Sequence, residues 1–138
     1  MEQYTKIAMD HFANPRNVGE IKNADGLGEV GNMRCGDIMH VYIKVAKRSL
    51  HGPLEGEEEE YIKDIKFKTL GCAAAIASSS MLTELAKGKS IEEAKLISKD
   101  DVNEALGILP AQKYHCSILS AEGLKRAIDD YENNKSRK

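Results

Sequence analysis

Three cysteines occupy positions in the sequence where a thiolate could bind a metal. Cys35 lies in a stretch rich in Gly and Asn, Cys72 follows Gly71 where a strand pattern gives way to a helix pattern, and Cys116 precedes a C-terminal helix pattern. Free N–H groups and the dipole at a helix N-terminus favour a thiolate, and two of the three cysteines are predicted there. Thiolates bind zinc, Cu(I) and iron–sulfur clusters. Free cysteine is also among the most buried residue types, so three unrelated core side chains stay an open alternative at this point.

Two other polar side chains accompany the thiols. Asp37 comes two residues after Cys35, and His115 directly precedes Cys116. Carboxylate is a harder ligand than thiolate, and imidazole is borderline. A site that mixes these ligands should hold a cluster less firmly than four cysteines would, which suits a site that releases its metal. The candidate ligands are Cys35, Asp37, Cys72, His115 and Cys116.

The composition excludes several classes of protein. The chain has 138 residues, three cysteines and a formal net charge of −2. An odd number of cysteines without a secretion signal argues against a disulfide framework. The small net charge gives no field for holding nucleic acid or an anionic membrane, and no apolar run is long enough to span a membrane. Because the N-terminus resembles no targeting segment and the net charge is small, we expect a cytoplasmic protein that meets other proteins and not nucleic acid or lipid.

The length predicts a single domain over residues 1–138, large enough to fold without a metal or a disulfide. Within this domain we expect an N-terminal helical arm over residues 1–16 and a frayed tail over residues 133–138. The arm contains a predicted helix over residues 3–12, which ends before Pro15 because the residue preceding a proline avoids the helical region. Tyr4, Ile7 and Ala8 are spaced for one face of that helix.

Alternating apolar residues predict a sheet in the first half of the chain. Two long strands are expected over residues 37–46 and 61–69, and a shorter one around residues 28–31. The apolar members are Met39, Val41, Ile43 and Val45 in the first long strand and Ile62, Ile65 and Phe67 in the second. Residues 47–60 contain Gly, Pro and four consecutive glutamates, a composition that predicts a long solvated hairpin loop.

Helical patterns follow in the second half. A helix over residues 72–87 is expected to end near Gly88, and Ser90 with Glu93 forms a capping box that opens a short helix to about Ile97. Asp100 or Asp101 is the expected cap of another short helix, and residues 117–131 form an amphipathic helix with Leu119, Leu124 and Ile128 on its buried face. We therefore predict a two-layer α+β domain, with a three-stranded antiparallel sheet covered on one face by helices.

Four segments resemble, in order, the motifs of the IscU/NifU-type iron–sulfur scaffold family. They are ANPRNVG at 13–19, CGD at 35–37, TLGCAAAIASSS at 69–80 and HCSIL at 115–119. Any one of them is weak, but four in register are highly specific, and the resemblance runs from about Tyr4 to Tyr131. The His115–Cys116 pair is similar to the IscU branch, whereas the related zinc-dependent sulfurtransferase branch lacks that histidine.

The resemblance implies a scaffold, not an enzyme, on which a [2Fe–2S] cluster is assembled from Fe²⁺ and then handed to apo iron–sulfur proteins. Sulfur would come as a persulfide from a cysteine desulfurase of the IscS/NifS type. By motif position, Cys35, Cys72 and Cys116 would be cluster ligands, with Asp37 or His115 as the fourth. Cys116 would also accept the persulfide, and Asp37 would favour cluster lability. The resemblance also allows a homodimer.

Besides a loop over residues 47–60 that is longer than is typical, the sequence departs from the family pattern in two segments that bear on its partners. Where the family commonly has LPPVK, a segment that a DnaK-type chaperone recognises, residues 109–113 read LPAQK, so the chaperone's recognition segment is incomplete. Before Cys35, the usual stretch containing Ala-Pro is replaced by residues 31–34, GNMR, which alters a region expected to meet assembly partners.

Two other functions fit parts of the pattern. Three thiolates with His115 or Asp37 would satisfy tetrahedral zinc, as in a zinc-binding sulfur acceptor or sulfurtransferase, and Zn²⁺ would occupy the same site as a cluster. A thiol enzyme would use Cys116 with His115 as its base. Adjacent side chains diverge, so we consider the thiol enzyme the weaker alternative.

Overall fold

Three strands and five helices make up the part of the chain that the structure describes. The computed structural model describes residues 5–32, 37–49, 58–71, 73–107 and 114–136; the side chains of residues 32, 37, 114–117 and 136 are outside this description. The elements in chain order are α1 Lys6–Ala13, β1 Gly26–Asn32, β2 Asp37–Ser49, β3 Glu58–Leu70, α2 Ala73–Ala86, α3 Ile91–Lys95, α4 Lys99–Leu106 and α5 Tyr114–Ser136.

The strands form an antiparallel sheet in the order β1-β2-β3. Helix α5 packs against β1 and β2, α2 packs against β3, and α4 packs against both of these helices. The core lies between the sheet and the helices, and its largest fully buried side chains include Phe67, Met39, Ile43, Ile62, Ile65, Leu82, Leu124 and Ile128. The predicted α+β architecture, with helices on one face of a three-stranded antiparallel sheet, is confirmed.

A bulge explains how β3 keeps its apolar residues on one face. Ile65 and Phe67 alternate regularly, but Ile62 is three positions before Ile65 and would face the opposite side of a regular strand. The register shifts here, because Lys44 pairs with Asp64 and Val45 pairs with Ile62. The extra residue restores the alternation, so that Ile62 is fully buried like Ile65.

The predicted solvated loop over residues 47–60 is wrong at both ends. β2 continues to Ser49 and β3 already begins at Glu58, so that most of the glutamate run is strand. Lys47 and Arg48 pair with Glu60 and Glu59 across the two strands. The Arg48 Nε atom lies 2.7 Å from Glu59 Oε1. Opposite charges on facing positions favour strand pairing, and a pattern search within one strand does not detect them. Residues 50–57 lie outside the described residues.

The two short helices begin with capping boxes. The box of Ser90 and Glu93 at α3 is confirmed, although α3 ends at Lys95. At α4 the predicted cap is wrong: Ser98 is the N-cap, and Asp101 is the third helical residue that completes the box. Its side chain accepts a hydrogen bond from the Ser98 N–H at 2.9 Å. Asp100 lies in the first turn, where its charge complements the helix dipole.

Helix α5 is longer than predicted at both ends. It begins at Tyr114, so that His115 and Cys116 lie in its first turn instead of before it, and it continues to Ser136. The tail expected to fray from residue 133 is therefore helical over its described part. Lys135 Nζ lies 2.6 Å from Glu60 Oε1, and this ion pair attaches the last turn to β3. None of the helices in the described ranges is long and apolar enough to cross a membrane.

Helix α1 packs against α2 through only part of the predicted face, and Tyr4 of that face lies outside the described residues. Ala8 and His11 are buried, whereas Ile7 is about half exposed. The His11 Nδ1 atom lies 2.7 Å from Ser80 Oγ, and this hydroxyl oxygen accepts a hydrogen bond from the Arg16 N–H at 2.9 Å. His11, to which the sequence assigned no function, is thus a hydrogen-bonded core residue.

Candidate functional site

The predicted ligands fall at the ends of elements, and the structure describes them only in part. Asp37 is the first residue of β2, and His115 and Cys116 are the second and third residues of α5. Their side chains lie outside the described residues, as do Cys35 and Cys72 entirely. The structure does describe residues on both sides of the predicted ligands. The positions of these flanking residues show whether the predicted ligand regions share one end of the fold.

The first ligand region joins β1 to β2. Asn32 at the end of β1 pairs with Asp37 at the start of β2, and Cys35 lies in the connection between them. Paired residues of an antiparallel ladder have Cα atoms about 4.5–5.5 Å apart. Because Cys35 is only two residues from Asp37 in the sequence, the chain keeps it near the end of the sheet at which β2 begins.

The second ligand region joins β3 to α2 at the same end of the sheet. Leu70, the last residue of β3, pairs with Ile38, which directly follows Asp37. Gly71 follows Leu70, and α2 begins at Ala73, so Cys72 is the single residue between them. The antiparallel pairing of β2 and β3 thus brings the flanks of the first two regions together.

The third ligand region reaches this end because α5 runs antiparallel to β1. Going back along α5, Asp130 Oδ2 accepts a hydrogen bond from the Leu27 N–H at 2.9 Å, and Gly123 lies against Val30 further along β1. The first turn of α5 begins nine residues before Gly123 in the sequence. At about 1.5 Å per residue, that turn lies beyond Val30, towards the β1–β2 connection.

Glycines allow α5 to lie directly on β1. A Cβ atom at Gly28 would come 2.1 Å from the Gly123 carbonyl oxygen, and one at Gly26 would come 2.1 Å from the Ala127 carbonyl oxygen. Only glycine fits such a close approach of two backbones. Sequence reasoning missed this contact; the glycines in β1 were visible, but their partners about 100 residues later were not.

Helix α5 also begins at this end of the fold. The first N–H groups of a helix have no partner within the helix, and together with the dipole they favour an anion such as a thiolate. α2 begins at the same end, directly after Cys72. Two helix N-termini and one hairpin connection thus carry the predicted ligand regions.

Exposed apolar side chains border this end on the open face of the sheet. Val18, Ile38 and Leu70 are 52%, 46% and 72% exposed. They line a shallow recess of about 500 Å³ together with Glu20, His40, Lys68 and Thr69. The Lys68 Nζ atom lies 2.5 Å from Glu20 Oε1. This contact lowers the pKa of Glu20 and raises that of Lys68.

Among the side chains that the structure describes, no three His, Cys, Asp or Glu residues lie close enough together to hold a metal ion. His40 illustrates this, because it forms a contact of 3.7 Å between its Nε2 atom and the Oε2 atom of Glu29 but lies in no such group of three. The fourth histidine, His51, lies outside the described residues. The five predicted ligands stay a prediction drawn from residue type and from the positions of their flanks.

Comparison with known proteins places the chain in a family. The NifU-like N terminal domain family matches residues 3–138. The iron–sulfur cluster assembly scaffold protein IscU 1 of Archaeoglobus fulgidus is 58% identical over 93% of this chain and 76% of its own length. The protein of that name, IscU, from Escherichia coli K12 is 45% identical over 98% of each chain. The N-terminal part of a nitrogen-fixing NifU-like protein from Brucella abortus has the same fold, with a TM-score of 0.64, 16% identity and coverage of 99% of this chain and 97% of that one. The chain therefore belongs to the NifU-like N-terminal domain family.

Proposed function

We propose that this protein is a scaffold for iron–sulfur cluster assembly. It builds a [2Fe–2S] cluster from iron and from sulfur delivered as a persulfide by a cysteine desulfurase, and passes the cluster to apo-proteins. The observation that carries this proposal is the similarity to a named iron–sulfur assembly scaffold over 98% of both chains. The shared end of the fold reached by the flanks of all three cysteines supports it. The protein would act in the cytoplasm as one domain.

The proposed cluster ligands are the thiolates of Cys35, Cys72 and Cys116, with Asp37 or His115 in the fourth position. Iron–sulfur clusters are commonly held by four cysteine thiolates, and a histidine can replace a cysteine on an iron. Three thiolates match the softness of the cluster, while the fourth, harder or borderline ligand is the weakest attachment. That asymmetry suits a cluster that is cargo and must leave.

Sulfur would enter through Cys116. Its thiolate attacks the terminal sulfur of the donor's persulfide, the donor's S–S bond breaks, and the donor leaves as a thiolate while Cys116 becomes the persulfide. Each persulfide sulfur then needs two electrons to become sulfide. Oxidation of Fe²⁺ to Fe³⁺ supplies half of them for a [2Fe–2S]²⁺ cluster, and an external thiol reductant supplies the rest. The start of α5, with its free N–H groups, favours the attacking thiolate.

The test is assembly without oxygen. Incubation with Fe²⁺, L-cysteine, a cysteine desulfurase and a thiol reductant should give visible absorption and equal amounts of iron and acid-labile sulfide. Cys35→Ser, Cys72→Ser and Cys116→Ser should each abolish the absorption. His40→Gln is a matched control, because this histidine lies on the open sheet face and should leave assembly intact. Wild-type protein that stays colourless under these conditions overturns the proposal.

The same experiment distinguishes the zinc protein. Three thiolates with one carboxylate or imidazole also satisfy tetrahedral Zn²⁺. If zinc resists displacement during assembly while Cys116 still accepts sulfur, the protein is a zinc-binding sulfur acceptor. Zinc that leaves as the cluster forms supports the scaffold.

A further inference from the structure

A side-chain hydrogen bond joins β2 to β3 at the end of the sheet that carries the candidate site. The Thr69 hydroxyl donates to the Ile38 backbone carbonyl, with 2.7 Å between Oγ1 and the carbonyl oxygen. Thr69 is partly buried and also borders the recess beside Ile38 and Leu70. The bond therefore crosses from one strand to the other at the last rungs of their register.

The backbone pairing shows what this bond adds. Phe67 turns its N–H and carbonyl away from β2, towards Asn17 and Gly19, with N···O distances of 2.9 Å for both bonds. Antiparallel pairs alternate between hydrogen-bonded and non-bonded, so Leu70 and Ile38, three positions further on, are a hydrogen-bonded pair. The Thr69 hydroxyl gives the Ile38 carbonyl a second donor at the pair that ends the described register.

The covalent chain connects this pair directly to two predicted ligands. Ile38 follows Asp37, and Leu70 is two residues before Cys72. Strand ends fray unless something holds them, because the last rungs lack neighbours on one side. Loss of this pair would let the start of β2 and the junction of β3 with α2 separate.

We propose that Thr69 is a positioning residue for the metal site, whose hydroxyl holds the strand ends that carry Asp37 and Cys72 at the spacing one metal centre requires. This inference rests on the proposed function, since it takes these residues as ligands. Thr69 itself is not a ligand; it acts through the Ile38 carbonyl. Valine has the same shape and the same preference for strands, so the hydroxyl is the part of the side chain that the inference concerns.

Cobalt binding tests the positioning role of Thr69 without requiring cluster assembly. Co²⁺ bound by thiolates gives a charge-transfer band, which measures affinity in metal-free protein kept without oxygen. Thr69→Val should weaken Co²⁺ binding about threefold to tenfold, the factor that one net hydrogen bond is worth. Thr69→Ser, which keeps the hydroxyl, should restore binding to within about twofold of wild type on the same scale.

Thr83→Val is the matched control for lost stability. The Thr83 hydroxyl donates to the Ser80 carbonyl at 2.7 Å in a fully buried part of α2. It lies near the C-terminal end of the helix, away from Cys72. Urea unfolding of the metal-free proteins should show a lower free energy of unfolding for both valine variants. The Co²⁺ affinity should fall only for Thr69→Val.

Three outcomes contradict the inference, and one of them also contradicts the proposed metal site. Unchanged Co²⁺ affinity in Thr69→Val, or an equal loss in Thr83→Val, overturns the positioning role alone and leaves the scaffold proposal standing. A wild-type protein without a thiolate–Co²⁺ band overturns the proposed metal site and the positioning role with it. A wild-type band that weakens in Thr69→Val and returns in Thr69→Ser supports the inference.

Discussion

At the residue scale, the proposed fourth ligand should decide how firmly this protein holds a cluster. Asp37 begins β2 and His115 lies in the first turn of α5, so the two candidates belong to different elements. A carboxylate is the harder and more readily exchanged ligand for a cluster, whereas an imidazole binds iron and zinc well. The two side chains should therefore have opposite effects on cluster lifetime.

We expect Asp37→Ala to make the assembled cluster more persistent. The variant lacks the exchangeable carboxylate ligand that an acceptor protein would replace when it takes the cluster. His115→Ala should shorten the lifetime, since it removes the better remaining ligand. Even the loss of a side chain that only orients a metal ligand commonly shifts affinity about 10- to 100-fold, so a change of at least about tenfold in half-life is expected for these candidate ligands. The measurement is the decay of visible absorption in the presence of a chelator, without oxygen. Faster decay in Asp37→Ala contradicts the role given to this carboxylate.

His11 gives a second prediction at this scale, through its protonation. Burial lowers its pKa below the ordinary value of 6.5, and the Arg16 charge acts in the same direction, against smaller opposing effects of Asp10 and Glu84. Because the Ser80 hydroxyl accepts from the Arg16 N–H, its own proton is available to neutral His11. The unfolded chain takes up the proton first as the pH falls, so stability is full above pH 6.5 and declines below it.

His11→Gln should remove this part of the pH dependence. Glutamine keeps a hydrogen-bonding group near Ser80 but does not titrate. Urea unfolding of the metal-free protein at pH 7.5 and pH 5.5 measures the difference in the free energy of unfolding. That difference should be smaller in His11→Gln than in wild type. Equal differences would show that the pH dependence comes from other groups.

At the element scale, the position of α5 on β1 sets where His115 and Cys116 lie. A Cβ atom at Gly28 would come 2.1 Å from the Gly123 carbonyl oxygen and 2.6 Å from the Ala127 nitrogen. Both of these are backbone atoms, so no side chain can move aside to make room. The helix itself would have to shift, and its first turn would shift with it.

Gly28→Ala should therefore lower the free energy of unfolding by about 1–3 kcal/mol, the usual cost of overpacking, and also weaken Co²⁺ binding. Gly88→Ala is the control. Gly88 has φ +85° but nothing within 4 Å of an added Cβ atom, so it tests backbone strain without moving α5. It should cost about 1–2 kcal/mol and leave Co²⁺ affinity unchanged. Unaltered Co²⁺ affinity in Gly28→Ala would show that metal binding does not depend on the position of α5.

The elements also show what the sequence reveals and what it does not. The apolar faces of β2 and β3 and the capping box at Ser90 follow from local patterns, and the structure has them. The pairing of Arg48 with Glu59 and the contact of Gly28 with α5 depend on residues distant in sequence. No local pattern contains those partners. The extension of β2 and β3 into the expected loop and the packing of α5 on β1 were therefore not predicted.

At the scale of the whole molecule, the predicted ligands belong to three regions of the chain whose described flanks meet only in the complete fold. Cys35 joins two strands, Cys72 joins a strand to a helix, and Cys116 lies in the first turn of the last helix. Their types and order in the chain could be recognised from sequence. The meeting of their flanks required the antiparallel register of the sheet and the antiparallel course of α5. The site proposed from these regions would not exist in the unfolded chain, so metal binding there would be coupled to folding.

Zn²⁺ should therefore stabilise the folded protein, and only through the cysteines. At a free concentration about 100 times its dissociation constant, a ligand that binds only the folded state adds about 2.7 kcal/mol. For a chain of this length, that corresponds to a rise in Tm of roughly 8–10 °C. Thermal unfolding of metal-free protein with and without Zn²⁺ measures the shift. The control is the triple variant Cys35→Ser, Cys72→Ser, Cys116→Ser, whose Tm should not respond to Zn²⁺. An equal rise in the triple variant would mean that zinc binds elsewhere and not through the cysteines. A rise in wild type alone would show that zinc binds the folded state through the cysteines, which lie in three different regions of the chain and of which none can supply a metal site by itself.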